Sequence, residues 1–176
     1  EQGCKLGRMA LELAEKGGPS KTLYAVRYVY YGFVHHWWRP ARECIRPLYE
    51  SFQPAVMHGN LWYSISMQDL AAEISVFVGI NLEQVRSDQT EALRRTEILK
   101  NAGYTQRLRF WSQVVLNLLG EMHHPQEIYG ELFGEDEAHE LIKANQNLQY
   151  IFYLYTAQAF LSLLFRDPQR AVETSA

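Results

Sequence analysis

Cysteine is scarce in this chain. Only Cys4 and Cys44 occur, far apart and outside any CxxC pair. That argues against a disulfide framework and for a reduced, cytoplasmic setting, with both thiols as small buried hydrophobes. Neither sign of charge dominates. Lys and Arg number 17 against 20 Asp and Glu, a formal charge of −3 with a pI near 6.1. The basic footprint that nucleic-acid binding requires is therefore missing. The short clusters Arg39/Arg42/Arg46 and Arg94/Arg95/Lys100 sit among acids and read as solvated faces. One stretch is uncharged over about five turns of helix, NLQYIFYLYTAQAFLSLLF at 147–165. It carries Gln149, Thr156, Gln158 and Ser162, and early tyrosines in place of a Leu/Ile/Val run. It reads as a helix buried on most sides by neighbours rather than a membrane span. No apolar leader opens the chain: EQGCKLGRMALELAEKG is amphipathic. It starts inside a helical pattern and ends in RDPQRAVETSA, a turn or two into a new helix, so a piece of a longer protein is expected.

The motifs of common chemistry are lacking as well. There is no GxSxG, no GxGxxG and no DDxxD-type carboxylate cluster. GGPSKT, at 17–22, echoes only the tail of a phosphate loop, and no strand precedes it. His35-His36 and His123-His124 are adjacent pairs, whose members point about 100° apart on a helix. A helical zinc pair needs i, i+4 spacing. Asp136-x-x-His139 approaches a di-iron motif once, with Asp in place of Glu. Cys44 has neither an orienting partner nor an activating motif to make it a nucleophile with His35 or His36. The expectation is a region with no catalytic, cofactor-binding or metal-binding residues, and so not an enzyme.

What is present is an aromatic, apolar composition: 47% hydrophobic residues, 13% aromatics, 11 tyrosines. Such a chain buries a core. Gly, Pro, Ser and Asn punctuate it into helical lengths. These run at about 2–16, 20–38, 40–58, 60–79, 81–102, 105–120 and 137–165, with a further helix starting at 168. Between them, QEIYGELFGEDEAHEL reads as two short helices broken at Gly130 and Gly134. Strand alternation is not sustained anywhere, so the class is all-α. Lengths near 18 to 20 residues with short links favour antiparallel neighbours. Leu6, Ala10, Ala14 and Gly17 recur as Leu48, Phe52, Val56 and Gly59 at a constant offset of 42. Helix pairs of about forty residues are the grain of helical solenoids. The whole of 1–176 is therefore read as one helical-repeat module, a stack of antiparallel helix pairs.

FVHHWWRPARECIRPLYESF, at 33–52, is the densest aromatic stretch. It reads as a joint between two helices. Tyr28, Tyr31 and Phe33 are expected inward, with Val34 and one tryptophan continuing the stripe. The chain then turns at Trp38-Arg39-Pro40, and Ile45, Leu48, Tyr49 and Phe52 return. Three runs resemble, in the same order, a segment of very large bacterial signalling proteins. They are FVHHWWRPARECIRPLYESFQPAVMHGNLWY, VVLNLLGEMHHPQEIYGELF and ANQNLQYIFYLYTAQAFLSLLFRDPQRAVE. In that family a Ser/Thr kinase-like domain is often followed by a P-loop ATPase and a long tetratricopeptide-like helical region. GAF or PAS sensors and a histidine kinase or GGDEF output domain close the chain. The resemblance places this chain in the helical region and implies a right-handed α–α superhelix. It implies other domains of the same protein, or a protein or peptide, as partners, and it names no site residue.

Two readings of function follow. The first is a non-catalytic module that holds a partner and couples an ATPase or sensor to an output domain. Its contact candidates are Trp38, Arg39, Trp62 and Tyr63, near helix ends. The alternative is a small-molecule sensor. Its pocket would be lined by Tyr150, Tyr153, Tyr155 and Gln158. Apolar faces at the cut ends also allow a homodimer.

Overall fold

The computed structural model describes residues 2–98, 102–122, 124–134, 136, 140 and 148–175, with the backbone alone at 97, 98, 102–107, 149, 150, 174 and 175. The described residues are helical where regular, with no strand among them. They fall into two compact units, 1–80 and 81–176.

In the first unit, α1 (Gln2–Lys16) ends at Gly17-Gly18. Ser20 starts the next helix. Its backbone is extended, and its Oγ accepts the Leu23 N–H at 3.1 Å, filling one of the donors a helix start leaves open. α2 (Lys21–Val29) does not run on to Trp38 as one helix. It widens into a π turn at Tyr30–Val34 and tightens into a 3-10 turn at His35–Trp37. α3 (Arg42–Met57) contains both Pro47 and Pro54, and Pro40 lies ahead of it. α4 (Leu61–Phe77) is buried all round from Ser64 to Ala72, with the small Ser64, Ala71, Ala72 and Ser75 beside Ile65, Met67 and Leu70 and the polar Gln68 and Asp69 buried among them. Small residues let α3 and α4 approach along their lengths. The core is Tyr24, Cys44, Leu48, Ala55, Met67, Leu70 and Ala71, with Tyr28, Tyr31, Tyr49, Tyr63 and Ile74 packed at its edge.

One guanidinium ties three helices of this unit. Arg27 of α2 donates to Glu15 of α1 at 2.9 Å and to Ser51 of α3 at 3.2 Å. Ser51, fully buried, in turn donates its hydroxyl hydrogen bond to the Pro47 carbonyl at 2.7 Å.

In the second unit, α5 (Leu82–Ile98) opens at Asn81, whose Oδ1 accepts the N–H groups of Glu83 and Gln84. The spacing of Asn81 and Gln84 predicts a reciprocal capping box. Only half of it forms, because the Gln84 amide turns forward to Asp88 at 2.9 Å. On the wet face, Glu91 takes hydrogen bonds from Arg94 and Arg95, which hold its carboxyl down at about 2. α6 (Ala102–Leu119) follows. The described part of the next segment, up to residue 134, holds turns in place of the first of the two short helices that its sequence predicts. Side chains from α6 fix it. Gln113 donates to Asn117 at 3.0 Å and accepts the Leu132 N–H at 3.1 Å, and Asn117 donates to the carbonyls of Pro125 and Glu127. A Cβ on Gly130 would sit 2.6 Å from the Gln113 amide, so glycine is what lets the chain lie against it.

α7 (Leu148–Leu164) and α8 (Pro168–Ser175) complete the unit. The part of the predicted 137–165 helix before Leu148 lies outside the described residues, residue 140 apart. Asp167 caps α8 by accepting the Arg170 N–H at 3.1 Å, with Pro168 in the first turn. α7 is not buried on most sides: Phe152, Leu163 and Leu164 are exposed, while Leu154, Ala157 and Leu161 face inward. No helix among the described residues is long and apolar enough to cross a membrane.

Candidate partner-binding surface

The π turn controls the surface of the first unit. An α-helix advances 100° per residue, so the extra residue of a π turn rotates everything after it. Tyr28 and Tyr31 lie at the core edge, as their spacing predicts. Phe33 and both tryptophans do not. Phe33 is 51% exposed, Trp37 77% and Trp38 43%. In place of Phe33, buried Gly32 faces α4, where a Cβ would come within 2.4 Å of Leu70 Cδ2. α1 is close on another side: a Cβ on Gly7 would meet Val34 at 3.0 Å and Tyr30 at 3.1 Å. Backbone packed this tightly holds the π turn in place, and the outward aromatics are the consequence.

These rings join others into a ridge. Phe33 meets Tyr28 edge-on with centroids 5.4 Å apart, and Tyr28 meets Trp62 in the same way at 5.4 Å. Trp62, 49% exposed, stands perpendicular to Tyr63 at 4.7 Å. Edge-to-face contacts of this kind add about 0.5–1.5 kcal/mol each beyond the area they bury. At one end of the ridge Phe33, Trp37 and Trp38 line an open hollow of ≈ 460 Å³, floored by Cys4 and Val34. At the other, Leu61, Trp62 and Tyr63 line one of ≈ 500 Å³ with Lys21 on its rim. The Arg39 guanidinium lies 5.4 Å over the Trp38 ring.

The histidines of the joint have separate duties. His35 lies between the Tyr30 hydroxyl at 3.4 Å and the Glu43 carboxylate at 3.3 Å, which straps the 3-10 turn to α3. His36 is exposed and rests against Trp37. His58 Nδ1 reaches the Pro54 carbonyl at 2.7 Å and the Tyr24 hydroxyl at 3.1 Å, closing the end of α3. Cys44 is buried, and that burial, aided by the neighbouring Glu43, pushes its thiol up to about 11. No group of three or more His, Cys, Asp or Glu side chains converges on a metal-sized space among the described residues. His123 and His139 lie outside them.

The four partner-binding candidates thus occupy one surface. Trp38 and Arg39 stand at one end and Trp62 and Tyr63 at the other. Tyr28 and Phe33, which link them, and Trp37, beside Phe33 in the first hollow, are the residues that sequence reasoning missed. Gly32 between aromatics, in the middle of a helical run, is the sequence signal that marks the place. The pocket candidates of α7 are more dispersed. Tyr153 is half-buried and Tyr155 exposed, two helical positions apart and so on opposite sides. Gln158 donates to the Tyr129 hydroxyl at 3.5 Å, and the side chain of Tyr150 lies outside the described residues. No family model matches this chain, and no curated protein or solved structure matches it either.

Proposed function

We propose that this chain is a non-catalytic helical interaction module, and that the aromatic ridge of its first unit is where it holds a partner. The carrying observation is the π turn at Tyr30–Val34, which turns Phe33 outward into a ring series continuous with Tyr28 and Trp62, with Trp37 beside Phe33 in the hollow at its end. Single π turns inside α-helices occur frequently at functional sites. Exposed aromatics and an arginine are the side chains that dominate binding energetics at protein interfaces. The ridge offers area, ring edges and a guanidinium, which suit recognition.

In this reading successive helix pairs stack as a tetratricopeptide-like superhelix. The chain belongs to the helical region of a large cytoplasmic bacterial signalling protein. The partner is another domain of that protein or a separate protein, and docking couples its ATPase or sensor to its output. The helical content, the short links and the three sequence runs support this reading. The test is affinity selection of a displayed random-peptide library on the whole chain. Peptides should be enriched, and binding should weaken at least tenfold in Trp62→Ala and in Trp38→Ala, since a buried aromatic anchor is worth roughly 2 kcal/mol or more. Met9→Ala, on the outer face of α1, should leave binding unchanged. Failure to enrich any peptide, or binding indifferent to both tryptophan variants, contradicts the proposal.

A further inference from the structure

We infer that the segment received by the ridge is acidic, with apolar anchors flanked by Asp or Glu. This rests on the reading of the ridge as a partner site. Around the ridge the charges are not balanced. The acids of α1 and α3 are already engaged: Glu12 with Arg8, Glu15 with Arg27, Glu50 with Arg46, and Glu43 with His35. The exposed cations at the two ends are not. Arg39 lies over Trp38 at the first hollow and Lys21 stands on the rim of the second, and among the described residues neither has a carboxylate partner. The residues lining the two hollows include no acid.

An apolar side chain seated in either hollow therefore brings its neighbours beside an uncompensated positive charge. A carboxylate there gains a charge-assisted hydrogen bond, and at Arg39 a forked one. A Lys or Arg there meets a like charge. The aromatic edges between the hollows take uncharged apolar side chains, which is why a peptide fits better than a polyanion without them.

The same library selection decides this, followed by synthetic copies of the enriched peptides titrated into the whole chain. The enriched peptides should carry net negative charge beside Leu, Phe or Trp. Arg39→Gln and Lys21→Gln should each weaken them roughly two- to fivefold, the range of an exposed ion pair. Raising the salt to about 0.5 M should weaken them further, because exposed pairs are screened. Both variants change exposed side chains outside the core, and unchanged helical circular dichroism checks that they fold. Ridge-binding peptides that are neutral or basic, or acidic peptides indifferent to both variants, overturn the inference while leaving the ridge a partner site. So does tighter binding of an oligo-dT strand than of any acidic peptide. An absence of any peptide sensitive to Trp62→Ala removes the partner site and the inference together.

Discussion

Arg166 ends α7 at φ 63, in the left-handed region, where Gly59, Gly79 and Gly120 end the three other helices closed in the same way. The closure is a Schellman pair at each: at α7, Arg166 N–H to Leu163 O at 3.2 Å and Asp167 N–H to Ser162 O at 2.8 Å. A side chain at that backbone angle costs about 1 kcal/mol. Among the described residues the exposed Arg166 side chain makes no hydrogen bond or ion pair that would be lost, so Arg166→Gly should raise stability by about 1 kcal/mol in urea unfolding, with the slope unchanged. Cys44 gives a second residue-scale expectation. Its folded thiol titrates near 11 against an ordinary 9.0. Unfolded chain then loses that proton first, so stability falls as pH climbs from 9.0 to about 11 and is unaffected below. Cys44→Ala should flatten that part of the pH–stability curve, and native Cys44 should resist thiol reagents at pH 8. A native Cys44 that reacts as fast as in the unfolded chain contradicts the packing described.

Among elements, the three-helix tie through Arg27 separates useful ion pairs from ornamental ones. Arg27→Met removes charged hydrogen bonds to Glu15 and to buried Ser51, and should cost about 1.5–3 kcal/mol. Arg8→Met removes an exposed i, i+4 pair with Glu12 and should cost about 0.3–0.5 kcal/mol. Equal losses by denaturant titration would show that Arg27 ties nothing together. Four helix ends were legible in the sequence because Ser20, Asn81, Asp167 and Gly59 act locally, through their own side chain or backbone. The π turn was not. It depends on Gly32 meeting Leu70 and on Gly7 meeting Tyr30 and Val34, contacts that no periodicity encodes. The segment after α6 was half legible. Pro125 and Gly130 announce irregular chain, but the clamp comes from Gln113 and Asn117, two amides at i, i+4 in a buried run that reads simply as apolar.

For the whole molecule, charge is unevenly shared. Residues 1–80 hold eight Lys and Arg against seven Asp and Glu, and residues 81–176 hold nine against thirteen. The near-neutral −3 total hides this, and with it Arg39 and Lys21, which have no carboxylate partner among the described residues. Trp38, Arg39, Trp62 and Tyr63 are drawn from sequence alone, as Trp, Tyr and Arg near helix ends, and the fold sets them at the two ends of the ridge. Their union into one surface needed Tyr28 and Phe33, which only the fold brings between them. The four tryptophans supply the most direct measurement, since Trp37, Trp38 and Trp62 are exposed on the ridge and Trp111 is fully buried in the second unit. In a nitrogen-15 NMR titration with a library-selected peptide, the three ridge indole signals should shift together and saturate at one affinity while that of Trp111 stays still. Peptide binding that leaves the ridge indoles unmoved, or moves Trp111 in their place, would contradict the account.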